Sequence, residues 1–146
     1  MRSWLARLLK KDRPSGTTEA PATVSSPGPA WADPTIPDDE RAVLLVRLLE
    51  DPTAREDDRE DAASDLEFLS GPLVEEALMR AVRDGDFNSV LAQHSAESLG
   101  GIWAREGHVD PAFLAELRGL AKEEVFGILR VRAPHLLPPV TPPPPG

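Results

Sequence analysis

Residues 41–69 read RAVLLVRLLEDPTAREDDREDAASDLEFL, and residues 74–102 read VEEALMRAVRDGDFNSVLAQHSAESLGGI. The second stretch begins 33 positions after the first, and the two align without a gap. Matched pairs include Leu45 with Leu78, Asp51 with Asp84, and Leu66 with Leu99. Self-similarity at such a period is typical of repeated helical hairpins. It favours a protein that binds other macromolecules through an extended surface.

The prolines outline the foldable part of the chain. Of the 16 prolines, six lie in residues 14–37 and seven in residues 134–146. Segments so rich in proline form neither helix nor sheet easily. We therefore expect a flexible linker over 14–37, a helical domain over 38–133 and a disordered tail over 134–146, preceded by a distinct segment over 1–13.

The charge of the chain is divided unevenly. The net charge is −9, yet residues 1–13 carry +4, which leaves −13 for the remainder. A body so acidic repels nucleic-acid phosphates and attracts basic partners. We expect no direct nucleic-acid binding by the folded domain, and a protein partner that is basic.

Residues 1–13 combine basic and apolar side chains at helical spacing. The residues in question are Arg2, Trp4, Leu5, Arg7, Leu8, Leu9, Lys10 and Lys11. Such a segment suits contact with an anionic membrane or with a partner. The alternatives are a frayed terminus and a helix docked on the acidic body of the same chain.

The location follows from what the sequence lacks. The chain has no cysteine, which excludes disulfides, thiolate metal sites and cysteine nucleophiles. No apolar run approaches the length of a signal sequence or a membrane span. We expect a cytoplasmic protein, with peripheral contact at the inner membrane surface left open.

Apolar periodicity predicts about five or six helices and no strand. They begin at Asp38, near residue 55, at Pro72, near residue 88 and at Asp110-Pro111, and a last one over 123–132 is either separate or an extension. The predicted inward residues are Val43, Leu44, Leu48, Leu49, Ala62, Leu66, Leu69, Leu73, Val74, Ala77, Leu78, Ala81, Val82, Leu91, Ser95, Leu99, Ile102, Phe113, Leu114, Leu117 and Leu120. Gly100-Gly101 inside the fourth helix is tolerable where another helix packs closely. Trp31 and Ile36 are expected to fold back over a helix face.

The second helix of each hairpin resembles the HEAT-repeat family, whose pattern is Val-Arg-x-x-Ala-Ala-x-x-Leu-Gly-x-Ile. Residues 91–102 and 58–69 follow it loosely, and Asp51 and Asp84 fit its turn aspartate. Only Arg59 keeps the arginine and only Gly100 the glycine, and residues 110–132 make a half-match. The resemblance implies an all-α short solenoid of stacked antiparallel helical hairpins. Its members are mostly scaffolds and adaptors, and a few small ones are immunity proteins or lyases.

The second helix is strongly acidic. Residues 50–67 hold nine acidic side chains against two arginines. Helical spacing places Asp57, Asp58, Asp61 and Asp65 near one face. The feature has two interpretations, a solvated outer face and a surface that captures a basic partner. We consider these four aspartates the candidate partner-binding residues.

Motifs for chemistry are weak. Residues 84–89 begin like a calcium loop but lack the turn glycine at Ser89 and the bidentate glutamate at Ser95. His94, His108 and His135 are never at metal-ligand spacing from one another. A triad of Ser95, His94 and Asp110 fails because adjacent helical side chains diverge by about 100°.

The sequence therefore predicts no catalytic, metal or cofactor residues. Its best interpretation is a monomeric, non-catalytic protein-binding module. One alternative is an immunity-type inhibitor of a basic toxin. An alternative of another class is a HEAT-like lyase acting on a bound small molecule.

Overall fold

A computed structural model of the chain describes residues 29–139 and 144–145. Over these residues the fold is all-α, as predicted, with no strand. The helices are α1 Asp38–Leu49, α2 Glu56–Asp65, α3 Pro72–Asp84, α4 Val90–Glu106, α5 Pro111–Glu116 and α6 Gly119–Arg132. Short 3-10 turns occupy Ala30–Ala32, Leu66–Phe68 and Pro134–Leu136.

Several predictions fall outside the described residues. They include the whole basic amphipathic segment 1–13 and the linker as far as residue 28. Among the helices that are described, none combines the length and the apolar character needed to cross a membrane.

Helix α4 lies at the centre of the domain. It packs against α3, which precedes it, and also against α2 and α6. Ten of its 17 residues are buried, and Leu99, Ile102 and Trp103 are fully so. A helix covered on so many sides holds the other elements together, because burial of apolar side chains is the main favourable term in folding.

The buried face of α1 differs from the predicted one. Val43 was expected to face inward, but it is exposed, and Leu44 and Leu48 are only half-buried. Leu45 and Val46 are buried instead. Helix α1 contacts α2 and α3 and also the turn at Ala30–Ala32, so two sides of the helix are covered. A prediction with one apolar stripe assumes that only one side of the helix is covered, so it misplaces the buried residues.

The chain before α1 folds back, as expected. Trp31 is half-buried and packs against the core. Arg41 fixes this segment, because its Nε donates to the carbonyl of Trp31 at 3.0 Å and its Nη2 to that of Asp33 at 2.8 Å. Ile36 is also half-buried.

The last two helices are separate rather than continuous. Helix α6 begins at Gly119, where φ is +61°. The turn between α3 and α4 caps it: the Leu120 N–H donates to Asn88 Oδ1 at 3.0 Å, and the Ala121 N–H donates to the Phe87 carbonyl at 2.8 Å. The break turns Leu120 outward to 40% exposure, so the prediction that it faces the core is wrong. The same prediction is wrong for Leu73, which is 45% exposed in the first turn of α3.

The turn at residues 84–89 uses its polar groups to hold helix ends and an ion pair. Ser89 Oγ accepts from the Ala92 N–H at 3.0 Å and caps α4. Asp86 accepts from Arg118 at 2.8 Å. These side chains serve helix ends and an ion pair, which are the ordinary uses of such groups in turns.

The two glycines inside α4 permit close packing. A Cβ at Gly100 would lie 3.2 Å from Ile128 Cδ1 and 3.5 Å from the Val125 backbone, both on α6. A Cβ at Gly101 would meet the side chain of Glu67 at 2.7 Å. The expectation that another helix approaches at this pair is confirmed.

Candidate functional site

Helix α2 is polar except where it meets α4. Glu56, Asp57 and Asp58 occupy its first turn, where negative charge suits the N-terminal end of the helix dipole. Ala62 and Ala63 are fully buried. Ser98 of α4 fixes the contact, because its hydroxyl donates to the Ala63 carbonyl at 2.6 Å. The small alanines allow the acidic helix to lie close to the centre of the fold.

The four predicted partner-binding aspartates have different environments. Asp61 is buried, with 6% of its surface exposed, whereas Asp57, Asp58 and Asp65 are half-buried. Asp57 also accepts two hydrogen bonds from Arg55, at 3.0 and 3.2 Å. The structure therefore does not present the four as one equally accessible surface, and Asp61 is the least accessible of them.

The carboxylates of α2 that remain available are Glu56, Asp58 and Glu60. Glu56 is exposed, the other two are half-buried, and none forms an ion pair with another described residue. The one arginine within α2, Arg59, donates from Nε to the Leu49 carbonyl at 2.9 Å, toward the end of α1. We name Glu56, Asp58 and Glu60 the acidic edge. The sequence had not singled out Glu56 or Glu60, because periodicity does not reveal which carboxylates find partners.

A cavity of about 300 Å³ lies between the end of α1, α2 and α3. Arg80 Nε and Nη2 both donate to Glu50 Oε2, at 2.9 and 2.6 Å. The residues that line the cavity are Leu49, Glu50, Arg59, Ala77, Arg80, Ala81 and Asp84. Two arginines and two carboxylates balance its charge, so the cavity does not select an anion or a cation.

One hydroxyl–imidazole contact joins α2 and α4. Ser64 Oγ lies 3.3 Å from His94 Nδ1. The triad considered from the sequence is not assembled: Ser95 is fully buried, and Asp110 accepts from the Phe113 N–H at 3.0 Å to cap α5. A serine nucleophile is typically activated by a base that a third side chain orients. Among the described contacts of His94, none is to a side chain that could orient its ring in this way.

Glu75, Glu106 and His108 are brought together from two parts of the chain. Glu75 lies on α3, Glu106 at the end of α4, and His108 just after Gly107. Gly107 has φ +77°, the left-handed conformation that turns the chain back toward α3. One ligand atom from each side chain lies within 4.8 Å of the others. No local pattern predicts this cluster, because Glu75 is 33 positions from His108.

Hydrogen bonding perturbs carboxyl groups in the α1–α2 turn and on α5. The Thr53 hydroxyl and N–H donate to Asp51 Oδ1 at 2.7 and 2.9 Å, which lowers the pKa of Asp51. Arg83 donates to Glu116 through two bonds of 2.9 Å, which lowers the pKa of Glu116. Through these hydrogen bonds, Asp51 stabilises the α1–α2 turn and Glu116 links α5 to α3.

No protein-family model, curated protein or solved structure matches this chain. The predicted N-terminal contact residues lie outside the described part.

Proposed function

We propose that this protein is a HEAT-like stack of antiparallel helical hairpins that binds a basic protein partner and performs no catalysis. The single observation that supports partner binding is the acidic edge of α2, Glu56, Asp58 and Glu60. Its three carboxylates make no ion pair within the described residues. A cluster of like charges kept available in this way attracts a partner of opposite charge over long range.

Packing between helices supports the hairpin arrangement. Helix α1 packs against α2, and α3 packs against α4, so each consecutive pair is compatible with one hairpin. The second helices of these two pairs also touch, because α2 contacts α4. Helix α4 also contacts α6, the last of the described α-helices. This is the neighbour-to-neighbour contact that a stack of repeats requires.

The charge of α2 supports its assignment as the binding element. Its ten residues hold six carboxylates against one arginine, a net charge of −5. Arg59 is directed to the Leu49 carbonyl, so it is held at the α1 side of the helix. Charge at the rim of an interface acts mainly on the association rate.

The test is a comparison of association rates. The partner is first captured from native lysate by the full chain at low ionic strength and identified. Binding is then measured for a variant carrying Glu56→Gln, Asp58→Asn and Glu60→Gln. We expect its association rate at low salt to fall about tenfold, within the range that electrostatic steering covers.

The matched control removes the same charge elsewhere. Glu40, Glu76 and Glu123 are exposed residues of α1, α3 and α6 with no described ion pair. Their triple replacement by Gln should change the rate much less. Equal losses in the two variants would show that only total charge matters, and would remove α2 as the binding element. A lysate that yields no partner, together with a small ligand that raises the Tm, would contradict protein binding itself.

A further inference from the structure

We propose that Glu75, Glu106 and His108 form a binding site for a divalent transition-metal ion of the zinc class. The site lies at the end of α4 and uses none of the three residues of the acidic edge. It uses one imidazole nitrogen and two carboxylate oxygens. Zinc binds this combination of donors in proteins, whereas calcium needs six to eight oxygens and magnesium prefers waters and phosphates.

The spacing of the ligand atoms suits a small ion. Tetrahedral zinc with bonds of about 2.0–2.1 Å holds its ligand atoms roughly 3.3 Å apart. His108 Nε2 already lies 3.2 Å from each oxygen of Glu75. Glu106 is within 4.8 Å of both. Its side chain and that of His108 are exposed enough to rotate, so a modest movement completes the triangle.

Glu75 is held in place by the core. Its Oε1 accepts a hydrogen bond of 2.9 Å from Nε1 of Trp103, a side chain with no exposed surface. Metal-binding carboxylates are commonly oriented by such outer hydrogen bonds, which limit the freedom lost on binding. Glu75 is therefore the fixed ligand, and the other two residues close on it.

Two existing contacts compete with the ion. His108 and Glu75 pair directly with each other, and Arg105 lies 3.8 Å from Glu106. The Arg105 contact is long, because its guanidinium is anchored on the carbonyls of Glu67 and Leu69. The His108 contact is exchanged for the metal, since the ion takes the nitrogen that otherwise bonds Glu75.

Three protein ligands leave the fourth position of a tetrahedral ion open. Structural zinc sites are closed by four side chains, whereas sites with three keep water or another molecule in the last position. The cluster is at the surface, where that position is accessible to solvent. The three side-chain donors therefore define the class of ion. The ligand in the fourth position is exchangeable.

Calorimetric titration of the untagged full chain with zinc chloride tests the site. We expect saturable binding of one ion, and no saturable binding of magnesium. His108→Ala should weaken zinc binding at least about tenfold, the loss that follows even from removing outer-shell partners. Glu106→Gln should weaken it similarly, and both residues are at the surface, so the fold should tolerate the changes.

The control is His135→Ala, which removes an exposed histidine from the turn after α6. It should leave zinc affinity unchanged. The NMR signal of the His108 ring nitrogen should also shift on adding zinc to the wild-type chain. Equal affinity in wild type and His108→Ala, or no binding up to millimolar zinc, would overturn the proposal.

Discussion

At the scale of single residues, the turn that follows α1 is held by its own side chains. Asp51 accepts two hydrogen bonds from Thr53, the stronger influence on its pKa being that from the hydroxyl. The folded pKa is therefore below that of the unfolded chain, about 3.9. The contribution of these bonds to stability is present above that value and is lost as the pH falls through the folded pKa.

Thr53→Val should raise the pKa of Asp51 toward its ordinary value, because it removes the hydroxyl donor and keeps the backbone N–H. Carboxyl ¹³C shifts followed by NMR through the acid range measure this directly. Thr35→Val is the matched control. It removes the equivalent hydroxyl from Asp33 and should leave the pKa of Asp51 unchanged. An Asp51 pKa that is the same in wild type and Thr53→Val would contradict the assignment.

At the scale of elements, the approach of α6 to α4 depends on a glycine. A side chain at Gly100 would enter the contact with Ile128 and Val125, whereas a Cβ at Gly127 on α6 meets nothing within 4 Å. Overfilling a packed contact typically costs about 1–3 kcal/mol. Replacing an open helical glycine gains roughly 1 kcal/mol in helix propensity.

The same substitution at the two glycines should therefore have opposite effects. Gly100→Leu should lower the free energy of unfolding by about 1–3 kcal/mol. Gly127→Leu should leave it unchanged or raise it by up to about 1 kcal/mol. Urea unfolding followed by circular dichroism measures both. Equal effects would mean that α6 does not pack against Gly100.

The boundaries of most helices were predictable, because acidic first turns, prolines and glycines mark them locally. The break before α6 was not. It depends on Asn88 and Phe87, which lie about 30 residues earlier and cap the helix. The buried face of α1 was also missed, since the Ala30–Ala32 turn covers a second side. Local sequence indicates the helices and most of their ends, whereas contacts between distant segments decide the break before α6 and which faces the helices bury.

The candidate sites also combine features that local sequence predicts with features that only distant contacts determine. The acidity of α2 is a local property of the sequence, so an acidic helix could be predicted at this position. Which of its carboxylates remain available could not be predicted, because Arg59 is directed to the Leu49 carbonyl and Asp61 is buried. The cluster at Glu75 and His108 joins residues far apart in sequence, and only the packing of α3 against α4 brings them together.

For the whole molecule, net charge sets the response of stability to salt. The chain holds 25 acidic against 16 basic residues, and α2 alone carries −5. Folding concentrates these charges, and their repulsion opposes the compact state. Raising sodium chloride from about 10 to about 150 mM shortens the screening length from about 30 to about 8 Å. We therefore expect the Tm to rise by about 2–4 °C, which corresponds to roughly 0.5 kcal/mol for a folded domain of about 100 residues.

The variant carrying Glu56→Gln, Asp58→Asn and Glu60→Gln separates repulsion from other effects of salt. It removes three carboxylates that lack described ion pairs, so its Tm in low salt should be higher and its rise with salt smaller. A Tm that falls with salt would mean the reverse balance, in which attractive pairs such as Arg80 with Glu50 and Arg83 with Glu116 outweigh repulsion. These pairs are partly exposed, and such pairs contribute only about 0–1 kcal/mol each. Repulsion within the acidic body should therefore dominate, and the charge that we propose attracts a basic partner should also be the charge that weakens the isolated fold.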